Sequence, residues 1–180
     1  MAEALYFTDD PEACKLLARD PFALVMGFAI DQQVPVQKAF AGPLVLKQRV
    51  GTLDPRKLAK LDLEEAFREK PAIHRFPGSM AKRVQELAAV VTEDYGGDAA
   101  RIWNEAKDAD DLRKRLSALP GFGPMKVYSI GSVLGGQLKV KAAKELVPDH
   151  PCLGRVSSPQ DLEDYQAAKR AHKRALKGAA

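Results

Sequence analysis

The sequence predicts an all-α protein, and three observations lead to this fold class. Several segments begin with a capping residue followed by proline, the usual start of a helix, as at Asp54-Pro55 and Ser158-Pro159. Apolar residues recur at helical spacing, most clearly between positions 84 and 91. No segment keeps the strict alternation of apolar and polar residues that a half-buried strand requires, and no repeat of 20–50 residues is present.

The predicted helices follow one another along the whole chain. The segment "FALVMGFAI" is apolar almost all round, so we expect it to form a buried central helix. Ser79 is expected to cap the helix that precedes Gly96, and Gly135 and Gly136 are expected to stop the helix before them. The predicted helices cover about residues 11–18, 22–30, 35–50, 55–61, 62–69, 80–95, 108–119, 124–134 and 159–177.

Length and composition restrict the class of protein. The chain has 180 residues, of which 46% are hydrophobic and 29% charged, as expected for one soluble globular domain over residues 1–180. It contains no apolar run of about 18 residues and begins without the basic and apolar regions of a secretory signal. Cys14 and Cys152 are too few for a four-cysteine zinc or iron–sulfur site. We therefore expect a cytoplasmic monomer without metal or other cofactor.

The stretch "LPGFGPMK" joins two of the predicted helices and is the most informative motif. Gly121 and Gly123 allow positive φ and a close approach of another backbone, and Phe122 between them is expected to point back between the helices. The amides of the two glycines and of Met125 would then face outward at a positive helix end, with Lys126 as a further cation. This arrangement favours one backbone phosphate held without base recognition. The alternative is a tight αα-corner with glycines chosen for steric reasons only.

Together with two upstream segments, this hairpin resembles the HhH-GPD superfamily of base-excision DNA glycosylases, which includes endonuclease III. "DPFALVMGFAIDQQV" resembles the buried helix of that superfamily, and "HRFPGSMAKRVQELAAVVTEDYGGD" resembles the helix before its hairpin. The resemblance covers about residues 20–136. It implies two helical lobes with a DNA cleft between them. Lobe one would hold about residues 21–134, including the hairpin 119–126, and lobe two would combine residues 1–20 with 135–180.

The resemblance also implies which residues contact double-stranded DNA. Gln32 and Gln33 would lie at the cleft, where the superfamily fills the gap left by an extruded base. Ser79, Lys82 and Arg83 would lie beside the DNA backbone. The alternative for the glutamines is a solvated helix end, and for the other three residues a capped and exposed helix start.

Hydrolysis of an N-glycosidic bond needs a carboxylate, because positive charge develops on the sugar. In the superfamily this carboxylate follows the hairpin helix in a V-D-x-H-like segment, and the nearest match is "VPDHPCLGRV", which contains Asp149. Asp149 stands about half a dozen residues later than usual, in a proline-bounded loop where aspartate is ordinary turn chemistry. Asp31 is a possible substitute, its alternative being a helix-end cap or an ion pair.

Superfamily members that also cut the DNA strand use a lysine amine as nucleophile. Met125 occupies the matching position here, and Lys126 comes one residue later. One helical residue rotates a side chain by about 100°, so Lys126 is expected to point elsewhere and to contact a phosphate. The sequence therefore predicts a monofunctional glycosylase that releases a base without strand cleavage.

Two other functions stay open on the sequence alone. The first is a catalytically inactive DNA-binding protein that uses the same hairpin fold. The second is a helical protein–protein module whose basic C-terminal helix docks an acidic partner. The acidic residues of that helix come first and its basic residues last, an order that the helix dipole favours. Its cations therefore indicate either a DNA contact or a solvated helix face.

Overall fold

The computed structural model describes residues 2–179, and within that range every regular element is helical. The all-α prediction is therefore confirmed. The α-helices are α1 (Pro11–Arg19), α2 (Pro21–Ile30), α3 (Val36–Val50), α4 (Pro55–Leu58), α5 (Glu64–Arg68), α6 (Pro77–Tyr95), α7 (Arg101–Asn104), α8 (Ala109–Ser117), α9 (Pro124–Gly136) and α10 (Pro159–Gly178). Two 3₁₀ helices, Lys141–Leu146 and Leu153–Arg155, connect α9 to α10.

Aspartate caps define several of the helix starts, as the sequence predicts. The carboxylate of Asp10 accepts hydrogen bonds from the amides of Glu12 and Ala13 at the start of α1. Asp20 and Asp54 cap α2 and α4 in the same way, each followed by proline at the first helical position. Such a cap stabilises a helix by about 0.5–2 kcal/mol because it satisfies amides that have no partner within the helix.

Helix α2 is the centre of the molecule. All its residues except the initial proline are buried, which explains why the segment is apolar on every side. It contacts α1, α3, α6 and α9. The helix ends at Ile30, and the next residue, Asp31, is only half-buried. The end of α2 therefore brings a carboxylate from the core to the surface.

The N-terminal and C-terminal helices pack in different places. Helix α1 packs against α2 and α3, which the sequence assigns to lobe one. Helix α10 packs against the 3₁₀ helix Leu153–Arg155. The division of the chain into two lobes stays a prediction.

The predicted cap at Ser79 is wrong. Helix α6 begins two residues earlier, at Pro77, and Phe76 occupies the cap position without a side-chain hydrogen bond. Proline is well suited to the first helical position because its φ is already helical and no amide is lost there. Ser79 consequently lies inside the first turn of α6, where it is exposed.

The glycine pair at the end of α9 serves packing and does not stop the helix before it. The helix includes Gly136. A Cβ at Gly135 would collide with the carbonyl group of Ala143, and a Cβ at Gly136 would collide with that of Gly154. The last turn of α9 therefore packs its backbone directly against the backbone of the segment that follows.

Helix α7 was not predicted, since it is a single turn and too short to show apolar residues at helical spacing. Its Trp103 is buried in the hydrophobic core. None of the helices described is long and apolar enough to cross a membrane. Both cysteines are buried and unpaired. Within residues 2–179 no group of three or more histidine, cysteine or acidic side chains is arranged to hold a metal ion.

Candidate functional site

The turn between α8 and α9 is a tight bend, residues 118–123, that buries one aromatic ring. Phe122 belongs to the hydrophobic core, and its amide donates to the carbonyl of Leu119 at 3.1 Å. Gly121 adopts a φ of 77°, in the left-handed region that favours glycine. The buried ring and the left-handed glycine together fix the path of the chain from α8 into α9.

The two glycines of this turn are required for different reasons. A Cβ at Gly121 would meet the guanidinium of Arg83, the flexible end of a side chain that can move aside, so it is the positive φ that calls for glycine. Gly123 has a φ of −82°, which any residue can adopt, and a Cβ there would meet nothing within 4 Å. The fold itself does not need glycine at position 123. A close approach by a ligand would need it.

The start of α9 presents free amides to solvent. Gly123 occupies the cap position and no side chain caps the helix. Within the described chain we find no acceptor for the amides of Gly123 and Met125. Because uncapped amides at a helix start carry partial positive charge, this turn is suited to an anion.

Lys126 turns inward toward the end of α2. Its Nζ donates to the carbonyl of Ala29 at 3.3 Å and lies 5.7 Å from the ring centre of Phe122. Burial lowers the pKa of Lys126, and the neighbouring Asp31 carboxylate opposes that change. The sequence predicts that Lys126 contacts a phosphate, and in the structure its Nζ points toward the end of α2, so the phosphate contact stays a prediction. It is Met125, with 79% of its surface exposed, that points outward.

Asp31 is the carboxylate that faces Lys126. Burial raises the pKa of Asp31, while Lys169 and then Lys126 pull it down. Tyr165, also on α10, is close enough for Asp31 to raise its pKa further, after the larger effect of burial. We call Asp31, Lys126, Tyr165 and Lys169 the Asp31 cluster. It joins the end of α2, the first turn of α9 and the middle of α10.

Of the three α6 residues predicted to contact DNA, one reaches this region. Arg83 packs on Gly121, and its positive charge contributes to the lowered pKa of Lys126. Lys82 and Ser79 are exposed on the same helix. The structure thus brings Arg83 together with the hairpin and leaves the other two on the open surface of α6.

Gln32 and Gln33 follow Asp31 and are both exposed, in an ordered loop. Gln33 has a φ of 58°, which is uncommon for a residue other than glycine. The buried His74 holds the loop: its Nδ1 accepts from the amide of Phe76 at 3.0 Å, so its Nε2 carries the hydrogen and donates to the carbonyl of Gln32 at 2.8 Å. His74 is therefore a positioning residue that ties the glutamine loop to the start of α6.

Phe76 is a candidate contact that the sequence analysis missed. It is 48% exposed at the start of α6, and the Arg75 guanidinium lies 4.9 Å from its ring centre. His74 connects it to the glutamine loop through the hydrogen bonds just described. An exposed aromatic ring beside a cation can stack on a base. The sequence before α6 does not indicate that Phe76 is exposed, because an apolar residue that precedes a helix ordinarily packs inward.

Asp149, the carboxylate favoured by the sequence, lies apart from these contacts. It is exposed in the loop between the two 3₁₀ helices. With Asp161, Asp164 and Arg155 it lines a shallow hollow of about 300 Å³ that also touches Tyr165. The next residue, His150, is hydrogen-bonded through Nε2 to the hydroxyl of Tyr128 at 2.7 Å. Asp149 thus stands at the edge of the region that the Asp31 cluster occupies.

A larger hollow, of other residues, is a different feature. It measures about 940 Å³ and lies between α7, α8 and the 3₁₀ helix Lys141–Leu146. None of the site residues predicted from the sequence lines it. The candidate site is therefore defined by contacts and charge, and its depth in the free protein is small.

Comparison of the chain with protein-family models, with curated proteins and with solved structures finds no match. The functional interpretation consequently rests on the hairpin, the Asp31 cluster and the glutamine loop themselves.

Proposed function

We propose that this protein is a DNA glycosylase of base-excision repair, in keeping with the resemblance to the HhH-GPD superfamily. The observation that carries the proposal is the juxtaposition of an uncapped helix start, at Gly123, with a half-buried carboxylate, at Asp31, through the inward-facing Lys126. The helix start would hold one phosphate of a DNA strand, and the carboxylate would face the sugar of a flipped nucleotide.

The carboxylate in this proposal is Asp31. As the bond between the base and the sugar C1′ breaks, the bonding electrons leave with the base and positive charge develops on the sugar. A nearby carboxylate stabilises that charge and orients a water molecule, which adds to C1′ and supplies the proton that the departing base needs. Half-burial strengthens this electrostatic effect, since water screens a half-buried charge less. Asp149 is exposed in a loop, which makes it the weaker candidate.

The glutamine loop and Phe76 would support the opened duplex. Gln32 and Gln33 present two amides that can take the place of the extruded base, and the exposed Phe76 ring can stack on a neighbouring base. His74 would keep these two elements at a fixed separation through its hydrogen bonds to both.

We expect base release without strand cleavage, although the reason differs from the one that the sequence suggested. Lys126 does face the Asp31 cluster, but its ammonium donates to the Ala29 carbonyl and lies beside a carboxylate. The hydrogen bond engages the amine, whose pKa burial lowers, and holds it away from the outward-facing position of Met125, which matches the nucleophile of strand-cleaving members.

The decisive experiment uses duplex oligonucleotides that each carry one uracil, alkylated purine, oxidised purine or mismatch. Products are resolved with and without hot alkali, for the parent protein and for the variants Asp31→Asn and Asp149→Asn. Breaks that require alkali, appear at one lesion and are lost in Asp31→Asn support the proposal. Loss in Asp149→Asn alone would assign the carboxylate to Asp149.

A second candidate function is DNA binding without chemistry. The observation in its favour is that Lys126 and Lys169 both act on Asp31, as they would in a purely structural charge cluster. This candidate predicts binding of lesion-containing duplex with no base release at any lesion. It also predicts that Asp31→Asn changes stability and leaves DNA affinity unchanged.

A further inference from the structure

The C-terminal half of α10 makes almost no contact with the rest of the molecule. Every residue from Ala167 to Gly178 is exposed, and Leu162 is the one residue of α10 that is buried. The side-chain amides of Gln37 and Gln166 bond reciprocally at 2.8 and 3.0 Å just before that half begins. We call residues 167–178 the C-terminal arm.

The arm is strongly cationic and contains no acidic residue. At about 100° per residue its five cations fall within an arc of about 140°, so they form one stripe along the helix. Three pairs of them stand four residues apart, where like charges repel. None of the ion pairs between described residues involves the arm. The cations are Lys169, Arg170, Lys173, Arg174 and Lys177.

Asp31 attracts Lys169, but Arg170, Lys173, Arg174 and Lys177 take part in none of the ion pairs between described residues. Helices that fold for their own stability place acids and bases four residues apart, as Glu64 and Arg68 do in α5. The first half of α10 has such acids, at Asp161, Glu163 and Asp164, and the arm has none. The charge pattern of the arm therefore fits an anionic partner outside the molecule.

The stripe begins at the candidate site. Lys169 and, to a smaller extent, Lys126 oppose the effect of burial, which raises the pKa of Asp31. The Nζ of Lys169 lies 5.8 Å from the ring centre of Tyr165. From Lys169 to Lys177 the helix rises by about 12 Å, the axial length of three to four phosphates of one strand. A strand that enters the Asp31 cluster would thus meet further cations as it leaves.

We propose that the C-terminal arm is a second DNA-binding element, which follows the phosphate backbone away from the Asp31 cluster without reading sequence. The identity of the anion as DNA rests on the proposed function. A membrane surface fits less well, because the face opposite the cations consists mainly of alanines, with His172 among them and Leu176 at its edge as the one large apolar side chain of the arm.

The test uses the full chain with the three substitutions Lys173→Gln, Arg174→Gln and Lys177→Gln, which spare Lys169. Binding to an undamaged duplex is measured over a series of salt concentrations. The matched control carries Lys47→Gln, Lys57→Gln and Lys60→Gln, three exposed cations on α3 and around α4, and has the same net charge. We expect the arm variant to bind at least tenfold more weakly at low salt, with a salt dependence reduced by about two to three counterions, and the control to bind like the parent.

Each outcome has a definite meaning. Equal losses in both variants, or none in the arm variant, would overturn the proposal. Loss of binding to vesicles of anionic lipid, or to an acidic polypeptide, with DNA affinity unchanged would also overturn it and assign a different partner. Base release is measured separately on lesion duplexes. If no base is released but the arm variant alone loses duplex affinity, the glycosylase proposal fails and the arm stands. If base is released and the arm variant binds duplex DNA normally, the glycosylase proposal stands and the arm proposal fails.

Discussion

The guanidinium of Arg83 lies against the α-carbon of Gly121, in the space that a Cβ would occupy. This contact fastens the middle of α6 to the hairpin turn. The fold needs glycine at position 121 because of its φ of 77°, whereas Gly123, with an ordinary φ and open space beside it, is not needed by the fold. Substitutions at the two glycines therefore separate folding from binding.

Gly121→Ala should destabilise the protein and Gly123→Ala should not. Alanine at a φ of 77° is strained and displaces Arg83, so we expect a loss of about 1–3 kcal/mol in the free energy of unfolding. At position 123 the change should stay within about 0.5 kcal/mol. Chemical denaturation measures both, and binding of duplex DNA should nevertheless weaken in Gly123→Ala and more so in Gly123→Val. Unchanged binding in Gly123→Val would contradict the hairpin assignment.

Asp31→Asn should abolish base release without destabilising the fold. Burial raises the pKa of Asp31 in the folded state above its unfolded value, so its ionised form disfavours folding, increasingly as pH rises through that window. Asparagine removes this cost, and the melting temperature at neutral pH should stay the same or rise. Thermal unfolding of both proteins checks this. A clear fall in melting temperature would show that Asp31 is a structural ion-pair partner.

The rate of base release should fall in acid, and this fall should occur at a higher pH than the pKa of an ordinary aspartate would give. The reaction needs the ionised carboxylate, and the raised pKa of Asp31 means that protonation occurs at a higher pH than usual. We expect kcat/KM to fall as pH drops through that raised pKa. Asp149→Asn serves as the control and should keep the same pH profile. If the acid side of the pH profile shifts in Asp149→Asn, the titrating carboxylate is Asp149 and the prediction for Asp31 fails.

Lys126 should not form a covalent intermediate with the substrate. Although burial lowers the pKa of Lys126, its amine is engaged by the Ala29 carbonyl, and the outward-facing position that matches the nucleophile of strand-cleaving members is occupied by Met125. Incubation of lesion duplex with sodium borohydride, followed by denaturing electrophoresis, should give no protein–DNA adduct. An adduct seen with the parent and absent in Lys126→Ala would reveal a Schiff base and therefore strand-cleaving activity.

Gly136→Ala should destabilise the protein by about 1–3 kcal/mol, because the new methyl group collides with the carbonyl of Gly154 and the backbone must shift. Gly178→Ala is the matched control, since a Cβ there meets nothing within 4 Å. It should leave stability unchanged or raise it slightly through better helix propensity. Denaturant midpoints compare the two variants directly.

Local patterns predicted the helices well but predicted the site only in part. The aspartate caps and the apolar segment of α2 depend on neighbours in sequence, and both are as expected. The direction of Lys126 depends on where the end of α2 lies relative to α9, which no spacing reveals. Gly136 looked like a helix stop because its reason, the backbone of Gly154, is distant in sequence.

The backbone contacts at the end of α9 have a mechanical consequence. The helix carries the hairpin at its first turn and is fastened at its last turn to the segment that also holds Asp149 and His150. Helix α9, about 20 Å long, thus fixes the distance between the hairpin turn and the segment that follows the helix. The helix cannot shift along its axis against this segment, because the carbonyl groups of Ala143 and Gly154 lie directly against Gly135 and Gly136.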